Sequence, residues 1–127
     1  MRVSGLRACY RPGEQLDFCI ALHASAAATC SAIELSVVWH TEGKGNEDMT
    51  VHYFRRLAAA QLAEVASEGR VACRTRLPVG PCSYDGRIVR IRWAVRVRMY
   101  MASGEESLIE RPFSLLAAAV DLEGCGG

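Results

Sequence analysis

The chain has 127 residues, half of them hydrophobic, and a formal net charge of +1. That length sets a single domain as the expectation and is enough for one core without covalent staples. The near-zero charge argues against a bulk polyanion binder, so nucleic acid is not expected as a partner and any basic surface must be local.

In chain order, residues 2–9 read as a first strand, ended by Arg11-Pro12-Gly13. Residues 15–23 alternate, with Leu16, Phe18, Ile20 and Leu22 on one face and Asp17, Cys19, Ala21 and His23 on the other. Residues 32–40 repeat the pattern, with Ile33, Leu35, Val37 and Trp39 inward and Glu34, Ser36 and His40 outward. Residues 41–48, with Gly43, Gly45 and Asn46, read as a turn, and residues 49–56 as a third alternating strand. Residues 57–68 are Ala-rich and predict a short helix or an irregular crossover. A strand over 70–77 is bounded by Pro78, Gly80 and Pro81.

Residues 86–101 carry the strongest pattern. Val89, Ile91, Trp93, Val95, Val97 and Met99 form an apolar face, while Arg90, Arg92, Arg96 and Arg98 lie opposite. A strand of that length would span roughly 50 Å, longer than usual, which predicts either a bulge or bend near Ala94 or a strand long enough to serve as the spine of one sheet. A turn at 103–106 and a last strand over 108–116 close the series. Seven or more short alternating strands predict an all-β, antiparallel, immunoglobulin-like β-sandwich over residues 1–116, with 117–127 as a flexible C-terminal tail.

Of the 15 basic residues, all but Lys44 are arginine, which reads as the codon bias of a GC-rich, bacterial genome. The six cysteines show no C-x-x-C spacing and no histidine cluster, so no metal or other cofactor is expected. The start of the sequence lacks a signal-peptide h-region, which predicts reduced thiols in a cytoplasmic protein, with Cys19 and Cys73 as core or near-core fillers. No apolar run is long enough to span a membrane.

Two motifs carry a family resemblance. One is Tyr10-x-Pro12-Gly13-Glu14-x-Leu16, a turn entering a strand; the other is Leu77-Pro78-x-x-Pro81-x-Ser83-Tyr84-x-Gly86, followed by Ile91-x-Trp93-x-Val95-x-Val97. With the strand and hairpin over 33–48 between them, the sequence from about residue 2 to 115 resembles the arrestin-type domain of arrestins, the arrestin-like retromer subunit and bacterial sporulation-control proteins. Arrestins carry two such domains and this chain has room for one, so phosphate sensing and receptor binding are not implied. The resemblance implies a non-enzymatic adaptor module that binds proteins through strand edges and loops.

The residues themselves offer four candidate sites. Arg90, Arg92, Arg96 and Arg98, with Arg87 nearby, form a basic strip at about 7 Å intervals, to be either compensated by Glu34, Asp17 and Glu110 or offered to an acidic partner. The Tyr84-Asp85-Gly86 loop is a second candidate. The tail ending Gly126-Gly127 resembles that of ubiquitin-like modifiers, although nothing else does. Cys82, between Pro81 and Ser83, is the thiol expected to be most exposed. His23, His40 and His52 are scattered, and no G-x-S-x-G elbow or phosphate-binding loop is present. The expectation is therefore a protein-binding module, with homodimerisation through an open strand edge as an option. A carbohydrate- or small-ligand-binding sandwich is the alternative, which the nine aromatic residues, both tryptophans inward, support weakly.

Overall fold

The computed structural model describes residues 1–117. The elements in order are β1 (Arg2–Ser4), β2 (Cys9–Tyr10), β3 (Gln15–Ala21), α1 (Ala24–Thr29), β4 (Cys30–Gly43), β5 (Asn46–Leu57), α2 (Ala59–Glu68), β6 (Arg70–Arg76), β7 (Tyr84–Asp85), β8 (Arg90–Met101) and β9 (Glu106–Leu115). They form two sheets: a small one, β1-β3-β6, and a large one, β2-β9-β8-β4-β5, with β7 paired to β8. All neighbours are antiparallel except β2 and β9, whose short pairing is parallel. The fold is thus the all-β sandwich expected.

The period-two pattern explains the core. Leu16, Phe18 and Ile20 of β3 and Cys73 of β6 bury one face of the small sheet against Ile33, Leu35 and Val37 of β4 and Trp93, Val95 and Val97 of β8. Each large side chain so buried contributes roughly 1.5–3 kcal/mol. Trp93 forms the aromatic centre, with ring centroids 5.8 Å from Phe113 and 6.4 Å from Trp39, while Tyr10 meets Phe113 edge-on at 5.3 Å. Three assignments are corrected. Trp39 packs on the core but is only half-buried, and so is Ile91; Val89 precedes the ladder altogether, because β8 begins at Arg90.

The chain changes sheets through its irregular segments. α1 carries it from β3 to β4, and α2 from β5 back to β6. The sequence pattern predicts α2, and Gln61 Oε1 accepts a hydrogen bond from the backbone N–H of Ala58 at 2.9 Å, half of a capping box. α1 had no counterpart among the expected elements; the alanine run over residues 24–28 was its signal. The chain also crosses from β1 to β2 and back to β3, and its last crossing runs over residues 77–83, where Pro78 and Pro81 cannot extend a ladder.

Several boundaries differ from the expectation. Residues 2–9 make two short strands, not one, and the turn over 41–48 shrinks to Lys44-Gly45, with both at positive φ (46° and 82°). Two consecutive positive φ angles make the tight hairpin turn whose twist matches the flanking strands, so β4 and β5 run unbroken to it. Of the two alternatives for the arginine strand, the bulge near Ala94 is absent, and β8 runs as a spine between β4 and β9. It is shortened by its late start, and the irregularities fall elsewhere: at Ser31 of β4, between Cys30 and Ala32 against β8, and at His52 of β5, opposite Val37 and Val38. Cys9 is disulfide-bonded, which corrects the expectation of reduced thiols at that position; Cys19, Cys30, Cys73 and Cys82 are free. Cys73 is buried as expected, and desolvation pushes its thiol pKa up, but Cys19 is half-buried on the outer face of the small sheet.

Candidate functional site

The outer face of the large sheet brings together the arginine strip and a set of apolar side chains that the linear pattern did not place. Val37 pairs with Tyr53 and Val38 with Val51, which leaves His52 unpaired. This bulge re-phases β5. Phe54 lies opposite Ser36 on the outer face, and beyond the bulge Val51 and Met49 lie opposite Val38 and His40 on that same face. His52 is redirected towards the small sheet, where its Nε2 lies 2.9 Å from the carbonyl oxygen of Arg76.

Met49, Val51 and Phe54 are roughly half exposed, as is Leu108 on β9. With Glu34, Ser36, Arg96 and Arg98 they line a hollow of about 160 Å³. Such a grouping on one face departs from the scattered apolar residues of an ordinary surface.

The arginines are mostly compensated. Arg90 Nε donates to Asp85 Oδ1 at 2.9 Å, Arg92 is paired with Glu42, and Arg96 Nε lies 3.3 Å from Glu110 Oε2. Glu34, directly opposite Arg98 in register, is held by Arg56 and by the hydroxyl of Tyr100, both at 2.8 Å. Asp17, expected as a compensator, belongs to the other sheet, where it pairs with Arg74. Arg98 forms no ion pair within 4.0 Å among the described residues. Its hydrogen bond with Tyr100, aided by the nearby Glu106 and Glu34, holds its pKa above the ordinary arginine value. Arg87 is exposed in the turn before β8.

Sequence reasoning missed His40. It points outward yet is only 8% exposed, because Glu110 reaches across β8 at the small residue Ala94 to within 3.7 Å of Nε2, and Glu47 Oε1 lies 3.3 Å from Nδ1. His23 caps its own turn through Ser25, and no hydrogen bond or ion pair joins the three histidines among the described residues. Cys82 is half-buried, as is Cys19, while Cys30 and Cys73 are buried. Among the described residues no group of three or more His, Cys, Asp or Glu side chains is placed to hold a metal ion.

The Tyr84-Asp85-Gly86 loop does form an exposed edge. Tyr84 is 57% exposed, Asp85 anchors Arg90, and Ser83 ties the segment to β9 by donating its N–H to Leu115 O at 2.7 Å while its Oγ accepts from Leu115 N. Beside it runs a groove of about 600 Å³ between residues 83–85 and 112–116. The four ladder edges are β1 and β6, and β2 and β5. The β5 and β6 edges are laced to each other by His52 and by Arg55, which donates to Ala72 O at 3.3 Å. Among the described residues β1 and β2 are short edges of three and two residues, and β9 keeps its far side unpaired over residues 106–113, because β2 covers it only at Ser114 and Leu115. Gly126 and Gly127 lie outside the described residues.

The architecture is that of an arrestin-like sandwich. The solved structure of Spo0M, a sporulation control protein from Bacillus subtilis, is similar over 90% of this chain and 47% of its own, with a TM-score of 0.56 and 12% sequence identity. The chain thus spans about half the length of that structure, and the likeness is one of fold. No family model matches the sequence, and no curated protein matches it. Among the described residues no helix is long and apolar enough to cross a membrane.

Proposed function

We propose that this chain is a non-catalytic protein-interaction module of the adaptor or scaffold type, and that its partner seats on the outer face of the large sheet. The observation that carries the reading is the hollow formed by Met49, Val51, Phe54 and Leu108, with Arg98 at its rim lacking a carboxylate of its own. Apolar side chains of the partner would fill the hollow, and one acidic side chain would pair with Arg98, as in interfaces with an apolar centre and a polar rim. The fold likeness to a sporulation control protein supports a regulatory role over a catalytic one. Arg90, Arg92 and Arg96, already paired, would frame this face without anchoring it.

The test is affinity capture from the native host with the wild-type chain and with Phe54→Ser/Leu108→Ser. A partner retained by the first and lost by the second, with unchanged circular dichroism, supports the reading. A partner held equally by both rejects this face.

A small-ligand-binding sandwich is the second reading, favoured by the groove beside Tyr84. It is the weaker, because Trp93 in the groove wall is fully buried and leaves Tyr84 as the exposed aromatic there. Thermal-shift screening of Tyr84→Ala against the wild type separates the two.

A further inference from the structure

The outer face of the small sheet carries a charge pattern different from that of the arginine strand. β6 alternates strictly: Val71, Cys73 and Thr75 turn inward, and Arg70, Ala72, Arg74 and Arg76 turn out. Across the ladder Arg70 is level with Ala21, and Ala21 with Arg2 of β1; Ala72 is level with Cys19, and Cys19 with Ser4. The outward side chains of the three strands thus hold four arginines against one acid, Asp17, a surplus of three on a chain whose whole surplus is one. Asp17 is spent on Arg74 at 2.7 Å, and Arg76 donates to the carbonyl oxygen of Gly13 at 2.9 Å. Arg2 and Arg70 form no ion pair within 4.0 Å among the described residues. They stand about 10 Å apart, two strand spacings, across a floor of Ala21. Nearby, Arg55, Glu64 and Arg70 line one cleft, and neither arginine forms an ion pair with Glu64 within 4.0 Å among the described residues.

From this we infer a second docking face, on the small sheet, for an acidic protein segment rich in Asp and Glu. The floor of Ala21, Cys19 and Ala72 lets an extended chain lie close to the sheet, within reach of the guanidinium groups of Arg2, Arg70 and Arg76. Two other anions fit less well. A membrane surface needs large apolar side chains to insert, and the outward positions of these strands hold no apolar side chain larger than Cys19. A nucleic-acid backbone needs more phosphate contacts than three or four arginines supply for useful affinity at physiological salt. The two docking faces lie on opposite outer surfaces of the sandwich, so both can be occupied together. The second stands independently of the first.

The test uses the full chain and poly-L-glutamate as probe. Binding is expected to weaken about tenfold or more in Arg2→Glu/Arg70→Glu and to tighten a few-fold in Asp17→Asn, which removes the sole acid of the face. It should also fall steeply as sodium chloride is raised from about 50 to about 200 mM. Alkylation of Cys19 by iodoacetamide should slow on binding, while that of Cys82 stays unchanged. Phe54→Ser/Leu108→Ser should bind the probe as the wild type does, which keeps the failure of one face distinct from failure of the other. Unaltered affinity in Arg2→Glu/Arg70→Glu overturns the inference, as does unaltered Cys19 labelling. Tighter binding to phosphatidylserine vesicles or duplex DNA than to poly-L-glutamate overturns the assignment to an acidic protein segment.

Discussion

The indole Nε1 of Trp93 donates a hydrogen bond to the carbonyl oxygen of Pro81 at 2.7 Å. Trp93 is fully buried in β8, and Pro81 lies in the segment that carries the chain from the small sheet to the large one. One bond therefore satisfies the polar atom of the largest core side chain and fixes the crossover above it. Trp93→Phe keeps most of the apolar volume but leaves the Pro81 carbonyl without this partner. It is expected to cost about 2–3 kcal/mol, measured by urea unfolding followed by far-UV circular dichroism. A loss below about 0.5 kcal/mol would mean that water replaces the indole without penalty.

Glu110 stands between the covered Nε of half-buried Arg96, at 3.3 Å, and Nε2 of buried His40, at 3.7 Å. Asp85 pairs with Arg90 where both are well exposed. Glu110→Gln is expected to destabilise by about 1–2 kcal/mol, since the covered Arg96 Nε loses its counter-charge. Asp85→Asn should change stability by less than about 0.5 kcal/mol. Equal effects in paired denaturation curves would show that burial does not separate these ion pairs.

Lys44 sits at φ 46° and Gly45 at φ 82° in the β4–β5 hairpin. A side chain with a β-carbon is disfavoured in that region by about 1–2 kcal/mol, and asparagine tolerates it better than lysine. Lys44→Asn should raise the thermal midpoint and Gly45→Ala lower it, each by a few degrees for about 1 kcal/mol in a domain of this size. Opposite signs would mean that the hairpin closes with another turn.

Glu14 accepts hydrogen bonds from the Arg7 guanidinium and, at 2.8 Å, from the backbone N–H of Arg11, and these hold its carboxyl below its ordinary pKa. A carboxyl depressed in the folded state stabilises above its unfolded pKa, and that contribution is lost as pH falls through the folded value. The stability gap between wild type and Glu14→Gln is expected to be largest near neutral pH, below about 1 kcal/mol, and to close between about pH 5 and pH 2. A gap that stays constant over this range would assign the effect of the substitution to something other than the carboxylate charge.

Much of the architecture was legible because its signal is local. Alternation in β3, β4, β6 and β8 marked which side chains face the core, and the prolines at 78 and 81 marked a sheet crossing, whatever their distant partners. Which arginines of the strip meet an acid was not legible, since pairing depends on register between strands far apart in the chain. Arg92 finds Glu42 fifty residues away, and Arg96 finds Glu110 on the other neighbouring strand. The Arg70, Arg74, Arg76 alternation was equally visible, but its shortage of opposing acids emerges only once β1 and β3 are laid beside it.

By itself, then, the sequence determined a two-faced set of strands and hence a sandwich, because side-chain direction in a strand repeats every two residues. Tertiary structure decided what each outer face presents. One unpaired residue, His52, turns Met49 and Val51 outward, and the order of strands in each sheet sets which arginines meet a carboxylate. Charge compensation and bulge placement are properties of strand neighbours in space, and no local pattern carries them.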